Sequence, residues 1–488
     1  MLIVSLLPHP ASAGAGSAAG DAARIDAFAR EQVRRHGIPG LAVAVVEGDR
    51  VIHMAGYGRA DESGRAVTPQ TPFVLASASK PITALAVMQL VEAGVLELDA
   101  PVQRYLPAFR VADPLASRQI TLRHLLQHTS GLPERSCDSS RFGAETLEQF
   151  VAALRTVKLD APPGARHAYC SANYNLLGRV VEVVSGQPYA GYIAGRVFAP
   201  LQMRHSFSAE GPARQDGLAQ GHEWLFGAPV PAAYPYAEAQ MPAGFLVASA
   251  EDMAHFLIAQ LNGGRYGDAR VLSPEGIAAM QAPGVPIGAS GDSYGLGWRT
   301  GSVGGVPALF HAGDHPNMHT FVLIEPETRR GAVLLLNSQS VIAQLTAYQE
   351  LQGGVARLLA GREPVAGPLS LPALYLILDA ALAGLLLLAL WPTIRLRRWE
   401  ERLEELRAGR RWRLRVGLRL AWELGAPLAL LAGARLLLHA LGAQSWREGL
   451  LLFPDTGAWL WAISLVVLLT GGARAILLRQ ALGRRAAA

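Results

Sequence analysis

Residues 369–391 form an apolar run of 23 residues broken only by Asp379. At about 1.5 Å per residue, a helix of that length crosses the roughly 30 Å of hydrocarbon in a bilayer. Backbone polar groups in hydrocarbon must be satisfied within their own segment, so the run can only be a helix there. Two further candidates follow. Residues 424–441 are apolar apart from Arg435 and His439, with Arg419 and Glu423 one turn apart just before them. Residues 457–473 carry no charge and open with Trp459 and Trp461, whose amphipathic rings suit a membrane interface. Three transmembrane helices are expected, at about 369–394, 416–441 and 457–478, with a buried helical hairpin as the alternative for the middle one. The loop 395–415 holds nine Arg against four Glu, and short Arg-rich loops stay in the cytoplasm. The loop 442–456 carries one Arg, one Glu and one Asp and can cross. The tail, with Arg474, Arg479, Arg484 and Arg485, is basic again. Residues 1–360 are then expected outside the cytoplasm, with the C-terminus inside. Asp379 is a functional candidate as an intramembrane acid, or a partner for Arg435 on the next helix.

The charge balance agrees. Net charge is +5 over 488 residues. Residues 1–360 carry 30 acidic and 27 basic side chains, and residues 361–488 carry 9 and 17. All the excess positive charge therefore lies beside the apolar runs, where a nucleic-acid-binding protein would carry it on the folded domain. No nucleic-acid partner is expected. Cys137 and Cys170 are the only cysteines. They can form one bridge but neither a disulfide framework nor a four-cysteine zinc site. Residues 1–20 read as an export signal without its basic front, ending in the A-x-A-like Ala11-Ser12-Ala13; a disordered tail is the alternative.

Between the signal-like start and a linker at 361–368, residues 21–360 read as one extracytoplasmic domain. Apolar spacing predicts helices over 24–36, 81–93, 172–185 (closed by Gly186 and Pro188) and 249–261, and a final one over about 339–359. Residues 41–46 and 50–54 flank Glu47-Gly48-Asp49 as a hairpin, and 320–324 and 331–336 make a second. Strand pairs at both ends with helices between predict an antiparallel sheet with helices packed on it.

The chemistry lies in one spacing. Ser77-Ala78-Ser79-Lys80 puts a hydroxyl three residues before an amine at a helix start, so both face one side. Pro81 suits the first turn. A serine hydroxyl is a poor nucleophile until a base takes its proton. A desolvated lysine can be that base, whereas arginine cannot deprotonate. The chain has two lysines, Lys80 and Lys158, against 42 arginines, so a generic surface cation here would be Arg.

Four segments carry a resemblance: FVLASASK (73–80), TLRHLLQHTSGL (121–132), MPAGFLVASAEDM (241–253) and YGLGW (294–298). In this order, over roughly residues 22–350, they resemble the serine β-lactamase and penicillin-binding-protein superfamily, in its class C-like branch. The resemblance implies an α/β (α+β) transpeptidase-like fold: an antiparallel sheet flanked by helices, a helical subdomain, and an active site between them. It makes Ser77 the nucleophile, Lys80 its general base, and Tyr169 the shuttle that protonates the leaving group. A phenol has an ordinary pKa near 10, so only a cationic neighbour such as Lys80 would let Tyr169 act as a base near pH 7. Relatives usually have Y-x-N here; this chain has Ser171, with Asn173 two places on. His311-Ala312-Gly313 matches the H-x-G form of the third motif, on a sheet-edge strand. The backbone N–H groups of Ser77 and Asp314 would form the oxyanion hole. Lacking Lys at 311, the site grips a substrate carboxylate weakly, which counts against a β-lactamase or D-Ala carboxypeptidase. Ser171, Gln240 and Asn317 are expected around the acyl pocket, with Asp314 accepting from a substrate amide.

His311, His315 and His319 share a four-residue spacing that a helix would align for metal. Gly313 and Pro316 forbid a good helix, so no metal and no cofactor are expected. His124 and His128 read as packing and capping groups.

An exported domain with three C-terminal spans is similar to membrane-anchored prodrug-activating D-asparaginyl peptidases of the colibactin-maturation type, which also look like Y-x-S proteins. That resemblance implies removal of an N-acyl-D-Asn cap from a nonribosomal peptide precursor in the periplasm of a bacterial inner-membrane protein. The alternatives are a general esterase or peptidase of the same branch, a penicillin-recognising enzyme, and a non-enzymatic sensor on the same fold. The expected partners are the membrane and a small-molecule or peptide substrate, possibly acylated. The spans can anchor the chain, pair it into a dimer or guide a lipidic substrate.

Overall fold

A computed structural model describes residues 18–133, 146–394, 411–440 and 454–486. Residues 1–17 of the signal-like start, Cys137 and most of the Arg-rich loop lie outside that set. The chain divides into two units: Met1–Glu223, Pro229–Gln339 and Ala343–Pro368 in the first, and Trp224–Ala228, Ser340–Ile342 and Leu369–Ala488 in the second.

The first unit is built on an eight-stranded sheet: β1 (Gly40–Glu47), β2 (Arg50–Gly58), β3 (Val285–Pro286), β4 (Ser293–Tyr294), β5 (Arg299–Val303), β6 (Val306–His315), β7 (Met318–Glu325) and β8 (Arg330–Leu336). The order is β2-β1-β8-β7-β6-β5-β4-β3, and the pairs are antiparallel. The N-terminal hairpin therefore adds to the last strand, Leu41 opposite Leu336, which joins the ends of the domain in one sheet. Gly48, at φ +58, makes the hairpin turn, a dihedral that costs glycine little. β8 is buried along its whole length, as expected of a central strand covered on both faces.

Five helices matter here: α1 (Ala18–His36), α2 (Ser79–Glu92), α3 (Ala172–Ser185), α4 (Ala250–Leu261) and α5 (Ala347–Leu359). α1 and α5 pack together, while α4 packs on β1 and β8. The helix expected over 339–359 is interrupted at Thr346, whose φ −131 and ψ −89 leave the helical region. α2 is buried on nearly every side, as a helix apolar all round must be. α3 ends at Gly186 in the left-handed conformation.

The second unit holds α6 (Leu371–Ile394), α7 (Trp412–Ala440) and α8 (Pro454–Ala486); α8 contacts both others. Two of them are long and apolar enough to cross a membrane, over Leu371–Trp391 and Gly457–Leu477. The middle span expected at 416–441 is helical in α7 but is not one of the two shown. Arg415, Arg419, Glu423 and Arg435 interrupt α7, and each charge at mid-bilayer costs about 3 kcal/mol. The Asp379 carboxylate accepts from Trp459 Nε1 on α8 at 3.0 Å, so among the described residues its hydrogen-bond partner is an indole and not Arg435.

Candidate active site

Ser77 lies in a 3₁₀ turn, Ala76–Ala78, that leads into α2. The residue before it, Ala76, has φ +46, a left-handed conformation that costs a non-glycine residue of order 1 kcal/mol. The strain turns the chain sharply, so that Ser77 is partly open while its flanking residues are buried.

Lys80 follows one turn later and is fully buried. Its Nζ donates to Ala243 O at 2.7 Å, Ser77 Oγ at 2.9 Å and Ser171 Oγ at 3.3 Å. All three acceptors are neutral, and burial lowers the lysine pKa to about 7. Ser171 precedes α3 but makes no side-chain cap; its hydroxyl serves Lys80 instead. Asn173 does not take that place. It is buried between Ser130 Oγ (2.6 Å) and His128 Nδ1 (3.1 Å).

Tyr169 lies near Ser77, whose side chain acts on its titration, and the residue is 38% exposed. Lys80 Nζ lies over the ring face, 5.0 Å from the centroid. Burial of the hydroxyl raises the Tyr169 pKa, against a lowering by the Ser77 side chain. The expected depression by Lys80 is therefore absent, and the phenol is neutral at pH 7. It can donate a proton but is not a preformed base.

β5 pairs with β6 only as far as Phe310, so residues 311–315 present an edge beyond that strand. That edge meets the 3₁₀ turn of Ser77. A Cβ on Gly313 would lie 3.0 Å from Ala78 N and 3.1 Å from Ser77 N and would overlap the Leu75 carbonyl oxygen. Only glycine admits this approach. It brings the Ser77 N–H beside the strand that carries Asp314, the arrangement an oxyanion hole requires.

His311 is buried, with Nε2 2.9 Å from Tyr294 Oη and Nδ1 2.7 Å from Ala312 O. Burial and then the Lys80 charge lower its pKa to about 3, so it is neutral. The nearby cation is Arg299, whose guanidinium meets Asp292 at 3.2 Å and lies over the Phe310 ring.

Two expected binding residues serve other ends. Asp314 Oδ1 is 2.7 Å from His319 Nδ1 and 2.6 Å from Gln339 Nε2, and its Oδ2 accepts from Gln344 Nε2 at 2.8 Å. On a strand alternate residues face opposite ways, so its side chain lies across the sheet from His311 and Gly313. It does not offer a carboxylate to the acyl pocket. Asn317 donates to Ala232 O (2.7 Å) and accepts from His315 Nδ1 (2.6 Å). Gln240 remains half-buried just before the turn that supplies Ala243. Cys170 is disulfide-bonded, and Cys137 lies outside the described residues. His124 completes a capping box with Thr121, and His128 Nδ1 accepts from Cys170 N at 3.1 Å. Among the described residues no cluster of acids, histidines and cysteines could hold a metal. The Ala243 carbonyl had no sequence signal beyond its motif block, because a backbone acceptor carries no residue signature.

The Beta-lactamase family's sequence model matches residues 25–354. Penicillin-binding protein 4 of Amycolatopsis lactamdurans is 34% identical over 68% of this chain and 89% of its own. Protein flp of Staphylococcus aureus (strain MW2) is 27% identical over 65% of this chain and 63% of its own. Among solved structures, the octameric penicillin-binding protein homologue from Pyrococcus abyssi superposes with TM-score 0.61 at 26% identity, over 70% of this chain and 78% of that one. EstCE1, described as a hydrolase with promiscuous acyltransferase activity, gives TM-score 0.61 at 25% identity, over 70% and 99%. These similarities carry the superfamily and not the narrower prodrug-peptidase resemblance.

Proposed function

The chain belongs to the Beta-lactamase family, and from that premise we propose that it is a membrane-attached serine hydrolase working through an acyl-enzyme on Ser77. The observation that carries the reading is Lys80 Nζ at 2.9 Å from Ser77 Oγ, fully buried among neutral acceptors. As the free amine, Lys80 takes the Ser77 proton while Oγ attacks the substrate carbonyl. The N–H groups of Ser77 and Asp314 hold the oxyanion. Tyr169 gives its proton to the leaving group and is reprotonated by Lys80, which holds the proton taken from Ser77. Water then releases the acyl group by the reverse path.

Two apolar helices support the membrane attachment. The Arg-rich loop 395–415 favours the cytoplasm, which supports an extracytoplasmic position for residues 1–360. A neutral His311 gives no third-motif cation for a substrate carboxylate, which favours an esterase or peptidase over a β-lactamase. The narrower role, removal of an N-acyl-D-Asn cap, loses the contact expected from Asp314 and rests on Ser171 and Gln240.

The test is a fluorophosphonate probe with peptide mapping, followed by mass spectrometry of products from N-acyl-D-Asn and N-acyl-L-Asn amides, D-Ala-D-Ala peptides, short esters and a chromogenic cephalosporin. The reading expects an adduct on Ser77 and turnover of esters or amides. An unlabelled Ser77 would leave a non-enzymatic protein on this fold.

A further inference from the structure

A cavity of about 380 Å³ is lined by Val74, Tyr234, Tyr236, Phe245, His315 and Asn317 among others, residues that neighbour the site along the chain. Its size is that of a small-ligand site. Each flank is tied to the chemistry. Val74 lies three residues before Ser77, Phe245 two after the Ala243 carbonyl that receives Lys80, and His315 two after Gly313. Two residues of strand span about 7 Å, which is the spacing along β6 from Gly313, at the Ser77 turn, to His315 in the cavity wall. The side is also defined. His311, two residues the other way from Gly313, bonds Tyr294 and borders Tyr169. The leaving group departs toward Tyr169, so the cavity faces the acyl part.

Its chemistry is specific at one atom. Asn317 Nδ2 donates to Ala232 O at 2.7 Å, which orients the amide with Oδ1 toward His315. Oδ1 can only accept, so His315 Nδ1, 2.6 Å away, carries the proton. Burial lowers the His315 pKa, which leaves a neutral ring with its lone pair on Nε2. The Tyr234 and Phe245 rings stand edge-on to it, with centroids 5.6 and 5.4 Å away. Glu210 and Arg214 also line the cavity and pair with each other at 2.6 Å.

We propose that this cavity binds the acyl part of the substrate, and that His315 Nε2 selects an uncharged acyl chain bearing an amide N–H next to a planar apolar cap. The proposal rests on the serine-hydrolase reading above. A positioned acceptor discriminates because it is left unpaired when the donor is missing.

The experiment uses the full chain in detergent with p-nitrophenyl esters of N-benzoyl glycine, β-alanine and 4-aminobutanoic acid, each against its N-methyl counterpart, and p-nitrophenyl acetate. At one spacing or more, the N–H ester should exceed its N-methyl counterpart by at least about 10-fold in kcat/KM. His315→Phe, which retains an aromatic wall without the acceptor, should bring that ratio within about 2-fold of unity. His315→Gln, which offers a carbonyl acceptor, should recover part of it. Ratios within one variant cancel losses of folded protein. Acetate turnover with no N–H preference, or a preference that survives in His315→Phe, overturns the pocket assignment alone. No turnover of any ester and no labelling of Ser77 overturns the hydrolase reading with it.

Discussion

Lys80 Nζ reaches Ser77 Oγ at 2.9 Å without an ion-pairing carboxylate among the described residues. An amine buried without a counter-charge holds its proton weakly, which is why its pKa falls to about 7. The residue is thus poised as a base at neutral pH instead of remaining a fixed cation.

The pH dependence follows. Above about pH 7 Lys80 is the free amine that can accept from Ser77, and below it the residue is protonated. kcat/KM for p-nitrophenyl acetate should therefore fall tenfold per pH unit below about 7. His311, with its pKa near 3, adds no second limb between pH 5 and 9. A rate that stays flat from pH 5 to 9 would remove Lys80 from the role of base.

Substitution gives an independent check. Ser77→Ala should abolish turnover and labelling. Lys80→Arg should lose at least 100-fold, because it retains charge but cannot deprotonate. A Lys80→Arg enzyme holding more than about a tenth of the rate is incompatible with the mechanism.

The same burial carries a stability cost with a definite sign. The folded-state pKa of Lys80, about 7, lies below the ordinary 10.5 of the unfolded chain. Between these values the unfolded chain binds more protons, so this group's contribution to stability rises with pH from about 7 to 10.5. Below about pH 7 the full cost applies, on the order of 5 kcal/mol before the lost hydrogen bonds are counted. Lys80→Met should therefore unfold at higher temperature than the wild type at pH 6, with a smaller gain at pH 10. A gain that grows with pH would contradict the sign.

Gly313→Ala probes the strand edge. Its methyl would meet the Leu75 carbonyl and the Ser77 and Ala78 amides, so the nucleophile must move. A shift of about 1 Å costs on the order of 100-fold in rate, and that loss is expected in kcat with near-wild-type circular dichroism. A fully active variant would show that the approach is not needed.

Attachment can be read by fractionation. The full chain should resist carbonate extraction through Leu371–Trp391 and Gly457–Leu477, and a chain ending at Pro368 should not. Carbonate-extractable full-length protein would argue against spanning helices.

Much of the frame was legible because it follows apolar period. The hairpins around Gly48 and 325–330, and helices α2, α3 and α4, formed where spacing put them. β6 gave no such pattern, since Pro307, Gly313 and Asp314 break its alternation; only the motif marked it. Asp314 was misplaced for a geometric reason. Strand neighbours face opposite ways, and its partners Gln339 and Gln344 lie about 25–30 residues downstream. His315 shares a four-residue spacing with His311 and His319 that Gly313 and Pro316 keep from forming a helical metal site, while its alternation with His311 and Gly313 puts those three on one strand face. α7 was expected to span on the strength of residues 424–441, while its first half carries Arg415, Arg419 and Glu423.

The contact between Gly313 and the Ser77 turn also sets a schedule. Gly313 follows Ser77 by 236 residues, and a ribosome adding about 5–20 residues per second needs on the order of ten to fifty seconds to cover them. Throughout that interval the nascent chain holds Ser77, Lys80 and later Ser171, yet lacks the edge that completes the oxyanion hole. The turn that carries Ser77 therefore meets its strand-edge partner only after most of the domain has been made.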